Sequence, residues 1–165
     1  MATMSKRWLG LDPGLARIGW AVLEIDEPLP AQLLDYGTIE TSKRCPTPER
    51  LLEIEKDISE ILQEFQPQAV AIEMPFFGRQ IKAAGGVIQA LGVLNLVIYR
   101  ELKILPILLH QSSWKCYLDH GRATKQEVAE IIQNIFNLDS LPIDDTVDAI
   151  GIAYAALSGV RNQID

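Results

Sequence analysis

Two apolar runs in this chain each end on a carboxylate, and that pairing restricts its fold more than any other feature. The first is Trp8-Leu9-Gly10-Leu11-Asp12, followed by a Pro13-Gly14 turn; the second is Ala69-Val70-Ala71-Ile72-Glu73. Short apolar runs bounded by turn residues read as buried strands. A carboxylate at the end of such a strand is costly unless its charge is compensated. A third acidic place, Asp145 and Asp148, opens an apolar helical pattern, and its i, i+3 spacing puts both side chains on one side of the helix. The dipole at a helix start favours negative charge there. One compensator that serves all three places is a divalent cation, because hard cations such as magnesium prefer carboxylate oxygens.

Each place also has a plainer reading. An Asp before Pro-Gly serves as a turn residue, and Asp-x-x-Asp at a helix start serves as a cap. Asp144 forms an i, i+4 pair with Asp148, so spacing alone leaves Asp144 and Asp145 both open as ligands. Glu73 is the hardest to explain as structure, since it follows four apolar residues and precedes Met74-Pro75-Phe76-Phe77. Asp12 and Glu73 lie side by side if their strands are neighbours.

The rest of the chain supplies the scaffold. Residues 7–12, 18–23 and 32–41 read as three strands of a meander, with a turn from Asp26 to Pro30. Thr47-Pro48-Glu49 gives an N-cap, a proline at N1 and an acid in the first turn. The helix that follows carries Leu51, Ile54, Ile58, Ile61, Leu62 and Phe65 on one face and stops at Pro67. Strand 69–73 leads into a helix from Gly78 to Arg100 that contains Gly85, Gly86, Ala90 and Gly92. Glycine costs a helix about 1 kcal/mol relative to alanine, so several on one helix imply a close approach, either of a partner helix or of the sheet. A strand from Ile104 to Leu109, a short helix from Gln111 to Leu118, a capping-box helix from Thr124 to Phe136 and a last helix from Asp144 to Leu157 complete the chain. The order β-β-β-α-β-α-β-α-α-α, with no repeat or linker, predicts one three-layer α/β domain over residues 1–165 with a mixed five-stranded sheet.

The net charge is -7, which by itself argues against a polyanionic partner. Its distribution is uneven: Trp20 to Glu64 has 11 acids against 4 bases, and Met74 to Lys125 has 7 bases against 2 acids. A local basic face matters more to a nucleic acid than the total. Cys45 and Cys116 have no metal-ligand spacing and read as free thiols of a reducing compartment. No run approaches the roughly 20 apolar residues of a membrane span, and Met1 to Arg7 has no apolar signal core. The expected location is the cytoplasm, with no membrane partner.

Four segments in order carry a family resemblance. Leu9-Gly10-Leu11-Asp12-Pro13-Gly14 with Ile18-Gly19-Trp20-Ala21-Val22 is the first, and Ala71-Ile72-Glu73 with Phe76 the second. Ala123-Thr124-Lys125-Gln126-Glu127-Val128 is the third, and Asp145-Thr146-Val147-Asp148-Ala149 with Ile152-Ala153 the fourth. Together, from Arg7 to about Ser158, they resemble the RuvC family of Holliday-junction resolvases, the crossover junction endodeoxyribonucleases. The resemblance implies an RNase H-like fold, a homodimer and paired, metal-dependent nicks in opposed strands of a four-way DNA junction during recombination and repair. It implies two magnesium ions per site, with manganese able to substitute, and a branch-migration helicase complex as a further partner. By motif position Asp12, Glu73, Asp145 and Asp148 would be the catalytic metal-binding carboxylates. The Asp-x-x-Asp-Ala spacing selects Asp145 over Asp144. Phe76, or its neighbour Phe77, would stack on a base, a contact worth about 1–3 kcal/mol. Lys125 and Lys115 would be the two family lysines near the scissile phosphate, Lys115 one residue closer to Lys125 than the family pattern. Arg79 and Lys82 would be general phosphate contacts.

Three other functions fit parts of the pattern. A YqgF-type RNase H-like nuclease acting on RNA is usually shorter, and the Phe76 and Lys125 segments fit it less well. A sugar-kinase-type phosphate domain would need a second domain and another glycine-rich loop. A junction-binding protein that no longer cuts is consistent with the acidic charge but not with four retained carboxylates.

Overall fold

The computed structural model describes residues 5–75, 81–119 and 121–162, with backbone alone for residues 81–83. Three strands come first: β1 (Lys6–Asp12), β2 (Arg17–Ile25) and β3 (Gln32–Glu40). Then follow α1 (Thr47–Phe65), β4 (Ala69–Met74), α2 (Ile81–Leu102), β5 (Ile107–His110), α3 (Gln111–Leu118), α4 (Lys125–Phe136) and α5 (Asp144–Leu157). The sheet runs β3-β2-β1-β4-β5. β2 is antiparallel to both its neighbours, and β4 is parallel to both of its own. The mixed five-stranded sheet and the element order are those expected.

Period-two alternation gives the sheet a bulky face and a small face. Leu9, Leu11, Ile18, Val22, Val70 and Ile72 pack against Ile54, Ile58 and Leu62 of α1 and Leu94, Val97 and Ile98 of α2. Each such side chain, fully buried, contributes about 1.5–3 kcal/mol. On the other face Ala21 and Ala71 meet α5, which is backed by Trp114 of α3 and by Val128 and Ile132 of α4. Gly10 and Gly19 lie on this face too. A Cβ at Gly10 would collide with the Ala149 carbonyl, and one at Gly19 with the Asp145 carbonyl. These two glycines therefore let the backbone of α5 rest directly on β1 and β2, a close approach that only a missing side chain permits. Thr146 Oγ1 adds a tie by donating to the Gly37 carbonyl of β3 at 3.3 Å.

Local chemistry moves some boundaries. The cap of α1 is Pro46, in extended conformation and without a side-chain cap bond, so Thr47 is already helical and not the N-cap. β5 begins at Ile107 rather than Ile104. Lys103 takes a left-handed turn at φ 58° to end α2, and Pro106 has no N–H to give a sheet ladder. The capping box of α4 is present, with Thr124 and Glu127 bonding reciprocally. The glycines of α2 differ in their surroundings. A Cβ at Gly86 would stand 3.0 Å from Leu15, whereas Gly85 and Gly92 face open space. Both cysteines are free thiols. Among the described residues no helix is long and apolar enough to cross a membrane.

Candidate active site

β1 and β4 pair in parallel with Leu11 beside Ile72, so the next residues, Asp12 and Glu73, emerge together at the C-terminal ends of two central strands. Asp12 shares the small face with Gly10, and Glu73 shares it with Ala71. The first turn of α5 lies over that face, brought down by the contact of Gly19 with Asp145. Asp148 sits further along the helix and is buried, at 8% exposure. The N-cap of α5 is Ile143, with no side-chain cap bond, so neither Asp145 nor Asp148 is used as a cap.

The charges of these groups bear on one another. The Asp12 carboxyl is pushed up from 3.8 to about 8, first by burial and then by Glu73, Asp148 and Asp145, with Lys125 opposing. No hydrogen-bond donor among the described residues offsets this. Asp148 is pushed up to about 6, again by burial first, against the pull of Lys115 and Lys125. Burial also raises Glu73, opposed by a hydrogen bond from Trp114 and by Lys115. Burial is the largest cause in all three, and the further repulsion among them shows that these carboxylates lie close enough to act on one another.

Cations and donors surround the cluster. Lys125, in the first turn of α4, lies 3.2 Å from Asp144, and both side chains are about two-thirds exposed. Lys115 is buried, with Nζ 5.5 Å from the Trp114 ring centroid. Arg17 Nη1 stands 3.6 Å from Asp145 Oδ2, and Arg17 Nε donates to Glu40 at 3.1 Å. Both neighbouring aspartates raise Asp148, but they differ toward Asp12. Asp145 is among the charges that raise Asp12, whereas Asp144 points to solvent with Lys125. Phe76, Phe77 and Arg79 lie outside the described residues, as does the side chain of Lys82.

The donor set suits a hard divalent cation: four carboxylates, at least three of them crowded into one partly buried corner. Among the described residues no three acidic, histidine or cysteine side chains already stand in closed metal-holding geometry.

Similarity to known proteins decides the family. A family model described as crossover junction endodeoxyribonuclease RuvC matches residues 8–156. The chain belongs to the RuvC family. A RuvC from Synechocystis is 67% identical over 160 residues, which covers 97% of this chain and 96% of the relative. A RuvC from Finegoldia magna is 35% identical over 160 residues, covering 94% of each chain. The structure of T. thermophilus RuvC in complex with a Holliday junction substrate superposes with a TM-score of 0.84 at 31% identity, covering 94% of this chain and 98% of that one. The fold is therefore RNase H-like, as the resemblance implies.

Two residues beside this RuvC site escaped the motif reading, Trp114 and Arg17. Trp114 carried a usable signal, because an indole N–H that is buried needs an acceptor. Arg17 carried none, since nothing in its local sequence indicates that β2 delivers it to α5.

Proposed function

We propose that this chain is a structure-selective endonuclease that resolves four-way DNA junctions by paired, metal-dependent nicks in opposed strands. Membership of a family of crossover junction endodeoxyribonucleases supports the reaction, hydrolysis of phosphodiester bonds. The observation that supports the site is the electrostatic crowding of Asp12 by Glu73, Asp148 and Asp145 where β1, β4 and α5 meet. In this reading Asp12, Glu73, Asp145 and Asp148 hold magnesium, two ions per site, and manganese substitutes. Metal held there supplies Lewis acidity at the phosphodiester and activates the attacking water.

The protein's own groups prepare the site. Burial keeps bulk water from screening the carboxylates, which strengthens their hold on a cation. Buried Lys115 opposes the effect of burial and favours the ionised forms of Glu73 and Asp148 that a cation needs. Lys125 is held in its charged form by the hydrogen bond to Asp144. Being exposed, it can exchange that partner for a DNA phosphate and offset charge that develops in the transition state.

Paired nicks need two sites, and α2 offers the face to join them. Gly85, Ile88, Gly92, Leu96 and Tyr99 recur at helical spacing; the two glycines face open space, and Ile88, Leu96 and Tyr99 are 48%, 64% and 53% exposed. A second copy of α2 laid along this stripe would form a two-fold interface.

The test is cleavage of a labelled four-way junction with magnesium at low salt, beside a matched linear duplex. Paired nicks in opposed strands of the junction alone are expected. Asp12→Asn should lower cutting by about 10²–10³-fold or more, the range for removing one group that stabilises transition-state charge. It should leave the junction gel shift intact. A wild-type protein that shifts the junction without cutting it would replace this reading by a binding-only one.

A further inference from the structure

Trp114 approaches the acidic cluster from α3. Its ring is fully buried, and Nε1–H donates to Glu73 Oε2 at 2.8 Å. The ring is seated against α5 at Gly151, where a Cβ would stand 2.8 Å from Cζ3 and 3.1 Å from Cε3. Any larger residue at 151 would push the indole away from β4. An indole has one N–H donor and no acceptor, so a buried one is oriented by the single acceptor it finds. Here that acceptor is a strand-end carboxylate with three side-chain torsions of its own. No other hydrogen bond among the described residues acts on the Glu73 carboxylate. The indole therefore holds one carboxylate oxygen and leaves Oε1 for other partners.

We propose that Trp114 is a positioning residue of the nuclease: clamped between α3 and Gly151, it fixes the Glu73 carboxylate in the orientation that binds the divalent cation. The inference rests on the place of Glu73 in the proposed metal site. It assigns to one indole N–H the role that hydrogen-bonded outer partners play for carboxylate ligands generally. It also gives a reason for a glycine in the middle of an otherwise good helix, where alanine would ordinarily be favoured.

Trp114→Phe tests this, because it keeps an aromatic ring against Gly151 and removes the donor. The magnesium concentration for half-maximal junction cutting should rise about tenfold to hundredfold. kcat at saturating junction should fall, and metal-free junction binding should not change. A second readout needs no activity. In protein labelled with ¹⁵N at the indoles, the Trp114 N–H resonance should move on magnesium titration. It should move again in Glu73→Gln, which turns a charge-assisted bond into a neutral one. Wild-type metal dependence and kcat in a folded Trp114→Phe would overturn the proposal, as would an indole resonance unmoved by Glu73→Gln. Should Trp114→Phe fail to fold, the resonance experiment on wild type and Glu73→Gln decides alone. Glu73→Gln that still cuts normally would remove the metal-site reading and this inference with it. Normal Trp114→Phe beside an inactive Glu73→Gln removes only the role of Trp114.

Discussion

At Asp12 the fold opposes the ordinary chemistry of a carboxyl group, holding a carboxyl at about 8 that would ionise at 3.8 in the open chain. Between those two values the folded protein binds the proton and the unfolded chain has lost it. Stability therefore falls as pH rises across that window, and the penalty is complete above about 8. Glu73 and Asp148 are raised as well, and act with the same sign. One pKa unit corresponds to about 1.4 kcal/mol, so the raised carboxyl at Asp12 opposes folding by a few kcal/mol at high pH. Asp12→Asn should then melt several degrees above wild type at pH 8 in chelator. The gap should close as pH falls toward 4. A thermal scan of both proteins against pH checks this, and a variant that melts below wild type at pH 8 would show that Asp12 is compensated in some other way.

At the scale of elements, the site depends on how closely α5 is seated. Gly10→Ala or Gly19→Ala drives a methyl group into the backbone of α5, at Ala149 or Asp145. Overpacking of this kind costs about 1–3 kcal/mol. The displaced helix also carries Asp145 and Asp148 away from Asp12. The expected result is a lower melting temperature together with a loss of cutting larger than the stability change explains, measured at a temperature where both variants remain folded. Most of these elements were legible beforehand, because α4 declares itself by Thr124 and Glu127 and α5 by the apolar pattern that Asp145 and Asp148 open. The start of β5 was not. Its delay depends on the left-handed turn at Lys103, which local composition does not announce.

At the scale of the whole molecule, charge and assembly differ from what a residue count suggests. Among the described residues, the basic stretch from Met74 to Lys125 is broken up by acidic partners and burial. Arg100 is held by Glu55 of α1 at 2.7 Å, Lys115 is buried, and Lys125 is shared with Asp144. Among the described residues, the positive charge beside the site is carried by exposed Lys125, half-exposed Arg17 and buried Lys115. The proposed seam on α2 predicts that Leu96→Glu halves the mass seen by light scattering without lowering the monomer's own helix content. Cutting by that variant should change from paired to uncoupled single nicks. An unchanged dimer would remove α2 from the interface.

By itself the sequence determined the order of elements, the two carboxylate-ended strands, the Asp-x-x-Asp helix start and the family that these motifs resemble. Those features are local: periodicity, caps and short motifs are written in consecutive residues. Only the tertiary structure decided that β1 and β4 are neighbours, that Gly10 and Gly19 bring α5 down onto them, that Asp145 and not Asp144 bears on Asp12, and that Trp114 reaches Glu73. Each of these joins residues that are far apart in the chain. Spacing along a sequence carries no record of which strand ends meet in a sheet, because the pairing is set by the burial of whole faces.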